Sequence, residues 1–281
     1  MNMVNTAAKV NLNFKNPSDR TAKTMKNIIV QIYEIQTPQE AGQVLALGAD
    51  HVGSVLLSED EWKKPEIRET VAEVTAAGAV SSLIPLFSTE DTVFRALDYY
   101  GPRIVHFCEN LVGETGISPD CGKWIRLQEN IKKRFPEIRI MRAVPIAEPG
   151  KGSRIPSLEL ARQFEGVSDF FLTDTLLLPD SGRKASGEQP VKNFVGITGK
   201  ICDWDIAARL VKTSRIPVIL AGGLGTDNVA AGIARTNPAG VDSCTATNAA
   251  DREGKPVRFS KDMDKVRKFV EAVRNSQNIF S

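Results

Sequence analysis

The stretch VILAGGLGTDNVAAGI, residues 218–233, decides the fold. Its apolar start predicts a strand that is covered on both faces, and Thr226 or Asp227 is a suitable N-cap for the amphipathic helix that follows. Gly222 and Gly223 lie on the turn between them. Glycines at the end of a strand let the backbone approach a ligand, and a helix N-terminus offers free N–H groups to an anion. The stretch therefore predicts a strand, a phosphate-binding turn and a helix; a plain tight turn is the alternative.

The same alternation of strand and helix runs through most of the chain. The predicted strands are 27–35, 49–57, 79–87, 103–109, 138–146, 168–175, 216–223 and 240–247. The predicted helices are 37–48, 65–77, 89–100, 121–135, 157–165, 203–213, 226–236 and 261–275. Apolar strands that alternate with helices predict a parallel sheet, and eight units over about 250 residues predict an α/β protein with a (β/α)8 TIM barrel. A doubly wound open sheet is the alternative, but polar and glycine residues at several strand ends favour the barrel.

The composition predicts a globular protein with small-molecule partners. Thirty-six Lys and Arg against 34 Asp and Glu give a formal net charge of +2, which argues against a nucleic-acid or membrane partner. No apolar run approaches the roughly 20 residues of a membrane span, and the N-terminus lacks a signal-peptide core, so a cytoplasmic location is expected. Four cysteines without a CxxC pair and two histidines argue against a metal site.

The chain divides into two parts of unequal length. Residues 1–26 are polar and lack clear periodicity, which predicts an N-terminal extension outside the fold. We expect residues 27–281 to form a single TIM-barrel domain.

Three loops after the last three predicted strands carry phosphate-binding chemistry. They are GITGKICDW at 196–204, the glycine pair, and SCTATN at 243–248. In a TIM barrel, the phosphate site commonly lies where the loops after strands 7 and 8 meet. The residues that we expect to bind the phosphate are Gly199, Gly222, Gly223, Thr245 and Ala246. The sequence therefore predicts a phosphorylated small-molecule substrate.

Polar side chains at other strand ends are candidates for catalysis. Asp174 ends the sixth predicted strand among apolar neighbours, which would raise its pKa and suit it to general acid or base chemistry. A loop-capping aspartate is the alternative. Tyr33 and Glu34 are adjacent at the end of the first strand, so we expect only one of them to face the barrel axis. His106 and Arg142 are further candidates for substrate contacts.

Taken together, these segments resemble the phosphoribosylanthranilate isomerase family of tryptophan biosynthesis. FLTDT at 171–175 resembles the family's strand-6 aspartate motif, and GITGKICDW resembles its glycine-rich loop that ends in Asp-Trp. PVILAGGLGTDNVAAGI resembles its seventh strand, glycine pair and helix. The resemblance covers residues 27–275 and is strongest after residue 168.

The resemblance implies an isomerase that needs no cofactor. Such a barrel binds the phosphate of a phosphoribosylamine, opens the ribose ring and converts an aminoaldose to an aminoketose in an Amadori rearrangement. In the family, a strand-1 cysteine takes the proton from ribose C2, and the strand-6 aspartate, matched here by Asp174, protonates the ring oxygen. The stretch QIYEI at 31–35 instead places Tyr33 at the cysteine and Glu34 at the following glycine, so these two are candidates for the missing base. A homodimer is one expected assembly.

This departure leaves two hypotheses open. The first is an isomerase of a phosphoribosylamine-type substrate with a replaced base. The second is a non-catalytic or re-purposed relative that binds a phosphorylated metabolite. A relative of indole-glycerol-phosphate synthase is less favoured, because no lysine ends the second or third predicted strand.

Overall fold

A closed barrel of eight parallel strands forms the centre of the protein. The computed structural model describes residues 27–114, 116–178 and 189–279. The barrel strands are β1 Ile29–Ile32, β2 His51–Leu56, β3 Val80–Pro85, β4 Ile104–Phe107, β5 Arg139–Ala147, β6 Phe170–Leu176, β7 Val218–Leu220 and β8 Gly240–Ser243. Each strand pairs with the next in sequence, and β8 closes the barrel against β1.

Helices follow the strands and cover the outside of the barrel. Within the described ranges they are α1 Pro38–Ala46, α2 Pro65–Ala76, α3 Glu90–Tyr100, α4 Cys121–Arg134, α5 Ser157–Phe164, α6 Trp204–Thr213, α7 Val229–Thr236 and α8 Met263–Ile279. The predicted (β/α)8 TIM barrel is thus confirmed, and the open-sheet alternative is wrong because β8 pairs with β1.

The strands alternate between two buried environments. On β1, Val30 and Ile32 pack outward in one apolar cluster with Phe269 of α8, whereas Gln31 and Tyr33 point into the barrel. Because both faces of each strand are covered, the strands are apolar without strict alternation. This pattern sets which side chains at the strand ends reach the barrel interior.

The start of α7 differs from its prediction. The helix begins at Val229, and neither Thr226 nor Asp227 caps it. Instead, Asn228 accepts a hydrogen bond from the N–H of Gly225 and donates one to the carbonyl of Gly223. These two bonds hold residues 223–228 as a turn, which delays the helix by three residues.

Two short hairpins interrupt the strand–helix alternation, and the sequence did not predict them. The first pairs Val112–Gly113 with Gly116–Ile117 after β4. The second pairs Asn248–Ala250 with Pro256–Lys261 after β8, and we call it the C-terminal hairpin. It contacts the end of β1 through an ion pair between Arg258 and Glu34.

The predicted N-terminal extension, residues 1–26, lies outside the described residues and stays a prediction. In the part of the chain that the structure describes, none of the helices has the length and apolar character needed to cross a membrane.

Candidate active site

Two adjoining chambers open at the carboxyl ends of the strands. The phosphate chamber is lined by Gly199, Gly222, Gly223, Leu224, Thr245 and Ala246. The apolar chamber is lined mainly by Val55, Ile84, Leu86, Leu172 and Val195, with polar side chains from β1 and β4. Asp174, Ile197, Asp242 and Cys244 line both chambers, and we call this shared part the junction. The site therefore offers a polar end, an apolar end and two carboxyl groups between them.

Backbone atoms dominate the phosphate chamber. All five residues predicted to bind the phosphate line it, so the structure brings the three predicted loops together. Gly222 and Gly223 have φ values of 93° and 61°, in the left-handed region. A Cβ at Gly223 would lie 2.6 Å from the carbonyl carbon of Lys200, so a side chain there would collide with backbone. None of the described residues lining the chamber is Lys or Arg, which leaves backbone N–H groups and the hydroxyls of Thr198 and Thr245 to hold an anion.

Asp174 lies at the junction near the end of β6, as predicted. Burial raises the pKa of its carboxyl from 3.8 to about 7, although the N–H of Thr175, which donates to Oδ1 at 2.8 Å, acts in the opposite direction. A Cβ at residue 196 would lie 2.1 Å from Asp174 Oδ2, so Gly196 leaves the space that this carboxyl occupies. Near neutral pH the carboxyl is divided between its two forms, which suits it to general acid chemistry.

Asp242 is a second buried carboxyl group at the junction, and sequence reasoning missed it. Burial is the main cause that raises its pKa to about 8, and the charge of Asp174 adds to the effect. Gln31 Nε2 donates a hydrogen bond to Asp242 Oδ1 at 3.2 Å. The signal in the sequence was its position on the last strand, two residues before Cys244 and therefore on the same face.

Tyr33 spans the barrel interior and is held by two hydrogen bonds. Its hydroxyl lies 2.6 Å from Ser82 Oγ and 2.8 Å from His106 Nδ1. Gly53 makes room for the ring, since a Cβ there would lie 2.0 Å from Tyr33 carbon atoms. Burial raises the pKa of Tyr33 well above 10, so the phenol keeps its proton and is a poor base at neutral pH.

His106 lines the apolar chamber beside Tyr33. Burial and the nearby charge of Arg142 lower its pKa to about 3, so the ring is neutral. Its Nε2 atom is buried and has no hydrogen-bond partner among the described residues. A buried polar atom of this kind is a contact point for a ligand.

Glu34 also lines the apolar chamber, so the prediction that only one of Tyr33 and Glu34 faces the interior is wrong. The reason is the backbone of Glu34, whose φ of 65° breaks the alternation of the strand. Arg258 Nε donates to Glu34 Oε1 at 2.6 Å, and Asn248 Nδ2 donates to Oε2 at 3.3 Å. Both partners come from the C-terminal hairpin.

The structure does not place Arg142 with the other predicted residues. Its side chain is fully buried outside the barrel wall, between the rings of Phe107 and Phe164. Nη1 lies 2.5 Å from Glu109 Oε2, and Nε donates to Gln128 Oε1 at 2.8 Å. Since it lines neither chamber, the predicted contact between Arg142 and substrate has no support in this geometry.

The described residues contain no group of three or more His, Cys, Asp or Glu side chains that could hold a metal ion. The junction and the two chambers present two carboxyl groups with raised pKa values, two thiols and the ion-paired carboxylate of Glu34.

Comparisons with known proteins agree with this geometry. The family model described as N-(5'phosphoribosyl)anthranilate (PRA) isomerase matches residues 138–272. An N-(5'-phosphoribosyl)anthranilate isomerase from Methanocella arvoryzae is 30% identical over 256 residues, which cover 87% of this chain and 97% of that protein. One from Methanosarcina acetivorans is 28% identical over 258 residues, 90% of this chain and 95% of that protein.

Solved structures show the same fold. Phosphoribosyl anthranilate isomerase from Thermotoga maritima has a TM-score of 0.60 at 20% identity, covering 88% of this chain and 99% of that chain. A phosphoribosyl anthranilate isomerase in complex with reduced 1-(o-carboxyphenylamino)-1-deoxyribulose 5-phosphate has a TM-score of 0.59 at 19% identity, with the same coverage. Because the Methanocella relative reaches 30% identity across nearly its whole length, the chain belongs to the phosphoribosylanthranilate isomerase family.

Proposed function

We propose that this protein isomerises N-(5'-phosphoribosyl)anthranilate to 1-(o-carboxyphenylamino)-1-deoxyribulose 5-phosphate, an aldose-to-ketose rearrangement. The observation that carries the proposal is the position of Asp174, whose pKa is about 7, at the junction of an anion-binding chamber and an apolar chamber. The names of the relatives supply the substrate, and the complex of the solved structure supplies the ketose skeleton.

The two chambers match the two ends of this substrate. The phosphate group fits the chamber around Gly222, Gly223 and Thr245, where N–H groups and a hydroxyl are available. The aromatic ring fits the apolar chamber, where the Nε2 atom of His106 lacks a partner among the described residues. When Tyr33 donates its hydroxyl hydrogen to His106 Nδ1, Nε2 carries the ring hydrogen and offers it to the substrate. The ribose then lies across the junction.

Asp174 begins the reaction by giving its proton to the ring oxygen of the ribose. The C1–O bond breaks, the nitrogen lone pair forms a C1=N bond, and the sugar opens as an iminium ion. Loss of the C2 proton then yields an enolamine, which takes a proton at C1 and loses one from the C2 hydroxyl to give the ketone. Asp242, largely protonated at neutral pH, donates a hydrogen bond to a sugar oxygen.

The alternative of a non-catalytic or re-purposed phosphate-binding relative is not favoured. Two relatives that align with this chain over 97% and 95% of their own length are named as phosphoribosylanthranilate isomerases. Asp174, which such a relative would not need, is present at the junction with its pKa shifted towards the working range of an acid catalyst.

Turnover of phosphoribosylanthranilate generated in situ, followed by the decay of its anthranilate-type fluorescence, tests the proposal. We expect measurable turnover that falls by about 100-fold or more in Asp174→Asn, since a general acid contributes roughly that much. Asp98→Asn is a matched control, because Asp98 lies in an exposed ion pair with Arg134. No turnover by the unmodified protein, or equal turnover by Asp174→Asn, would refute the function.

We further propose that the protein acts in the cytoplasm and forms a homodimer. The dimer is supported by a solved relative described as dimeric, the phosphoribosylanthranilate isomerase of Thermotoga maritima. Light scattering coupled to gel filtration checks this assembly, and a mass that stays at 30.7 kDa at micromolar concentration would refute it.

A further inference from the structure

The proposed reaction needs a group that accepts the C2 proton, and the protonation states of the side chains at the junction exclude several candidates. Asp174 is already assigned to the ring oxygen. Asp242 holds its own proton at neutral pH, since its pKa is about 8. Tyr33 also keeps its proton, because burial raises the pKa of the phenol well above 10. His106 is a weak base, because its pKa is about 3. Glu34 and two thiols remain among the described titratable side chains of the two chambers; Cys108 lines only the apolar chamber, whereas Cys244 lines both.

Cys244 and Glu34 lie side by side because β8 pairs with β1. The N–H of Tyr33 donates to the carbonyl of Ser243 at 3.3 Å, which sets the ends of the two strands at the same level. Burial raises the pKa of the Cys244 thiol well above 9, and the nearby Glu34 adds to this, so the thiol holds a proton and can accept another only by passing its own to Glu34. Cys244 lines both chambers, whereas Glu34 lines only the apolar one. Cys244 thus connects the junction with the chamber that Glu34 lines.

The C-terminal hairpin holds both members of this pair. Arg258 and Asn248 donate to the two carboxylate oxygens of Glu34, at 2.6 and 3.3 Å. Lys261 donates to the carbonyl of Cys244 at 2.9 Å and also bonds the side chain of Asn248. One element thus fixes the carboxylate and the backbone that carries the thiol.

Two independent observations mark this place as a ligand site. Glu34 has a φ of 65°, an unfavourable conformation for a residue other than glycine, of a kind that is often found at functional sites. His106 is 3% exposed, yet its Nε2 has no partner among the described residues, and it lines the same chamber as Glu34 and Cys244.

We propose that Cys244 and Glu34 act as one proton-accepting pair, in which the thiol touches the substrate and the carboxylate lies behind it. This inference rests on the proposed isomerase function. The sulfur takes the C2 proton while its own proton passes to Glu34. The electron pair of the C2–H bond becomes the C1=C2 bond, and the iminium nitrogen receives the electrons of the C1=N bond.

The return steps restore both groups. Cys244 delivers a proton to C1 of the enolamine, and Glu34 gives its proton back to the sulfur. The C2 hydroxyl gives its proton to the carboxylate of Asp174, which thereby regains the proton that it gave to the ring oxygen. No oxidant, reductant or further reactant takes part.

Cysteine variants test the role of the thiol. We expect Cys244→Ala and Cys244→Ser to lower kcat by about 100-fold or more, with KM changed less than about threefold, because the thiol contacts the reacting carbon and not the phosphate. Cys121→Ala is the matched control; Cys121 is a buried cysteine that lines neither chamber and whose thiol donates to the carbonyl of Leu111. Circular dichroism establishes that each variant is folded.

Alkylation of the unmodified protein supplies a second measurement that does not depend on a folded alanine variant. We expect iodoacetamide to modify Cys244 with loss of activity, and inorganic phosphate to slow this modification. Burial is the main cause that raises the pKa of the Cys244 thiol, and Glu34 adds to it, so Glu34→Gln should move the alkylation midpoint to lower pH. The same variant should lower kcat at least tenfold, because the proton acceptor is gone. A merely structural role of Glu34 does not predict faster alkylation together with slower turnover.

The outcomes separate this inference from the proposed function. Turnover that depends on Asp174 but survives Cys244→Ala within about threefold, or that survives complete alkylation of Cys244, would overturn the pair and leave the isomerase assignment intact. Unchanged kcat in Glu34→Gln would remove Glu34 from the pair. Absence of turnover in the unmodified protein would overturn both.

Discussion

Replacement of Asp242 by asparagine should stabilise the protein at alkaline pH, although the residue lines the candidate active site. The folded protein binds the Asp242 proton more tightly than the unfolded chain does, because burial raises its pKa from 3.8 to about 8. Between these two pKa values the Asp242 carboxyl is ionised in the unfolded chain but protonated in the folded protein. The free energy of unfolding therefore falls as pH rises from 3.8 to about 8. Asparagine does not ionise, and its side-chain oxygen still accepts the hydrogen bond from Gln31.

The pKa values set the size of the effect. Each pKa unit is worth about 1.36 kcal/mol, so the shift of Asp242 corresponds to at most about 5 to 6 kcal/mol above pH 8. Relaxation of the protein around the ionised carboxyl reduces this destabilisation. We therefore expect Asp242→Asn to raise the free energy of unfolding by about 2 to 4 kcal/mol at pH 8.5 and by less than half of that at pH 5.5.

Urea unfolding at the two pH values, followed by tryptophan fluorescence and circular dichroism, measures the difference. Asp98→Asn serves as a surface control, for which we expect a change within about 0.5 kcal/mol at both pH values. An equal gain at pH 5.5 and 8.5, or a loss at pH 8.5, would refute the reasoning, because only a group with a raised pKa in the folded state produces a gain that grows with pH.

Three further predictions concern single residues. The rate of isomerisation should fall about tenfold per pH unit above pH 7 as Asp174 ionises, and a flat pH profile up to pH 9 would contradict its role as the acid. Tyr33→Phe leaves Ser82 and His106 without their shared partner, so thermal unfolding should show a loss of about 1 to 3 kcal/mol; an unchanged midpoint would contradict this. Arg142→Met leaves a buried carboxylate unpaired and should cost about 3 to 5 kcal/mol in urea unfolding with KM unchanged, whereas a raised KM would restore the substrate contact predicted from sequence.

The barrel and the phosphate chamber were predictable because both depend on the order of elements. Eight repeats of strand and helix leave few topologies, and adjacent loops of a barrel necessarily meet at one face. Gly199, Gly222 and Thr245 could therefore be placed together without any knowledge of side-chain geometry. Asp174 was predictable for the same reason, since it lies near the end of a strand.

The features that the sequence did not predict depend on single backbone angles and on which alternate residues of a strand face the barrel interior. The φ of 65° at Glu34 turns its side chain into the chamber, and no sequence pattern specifies a left-handed glutamate. Arg142 lies on a strand that is apolar on both faces, so the sequence does not reveal which alternate residues point outward. Likewise, the C-terminal hairpin, which carries Arg258 and Lys261, lies between the predicted strand 240–247 and the helix predicted from residue 261, where no element was predicted.

The two parts of the site differ in what forms them. The phosphate chamber is made of backbone, and a side chain at Gly223 would collide with the carbonyl carbon of Lys200 at 2.6 Å. The proton acceptor is made of side chains that a separate hairpin holds in place, through Arg258 on Glu34 and Lys261 on Cys244. The role that we propose for Cys244, which directly follows β8, therefore requires no change in the backbone of the chamber or in Asp174. Side chains beside the end of β8 can supply the proposed base while the glycine turn keeps its shape.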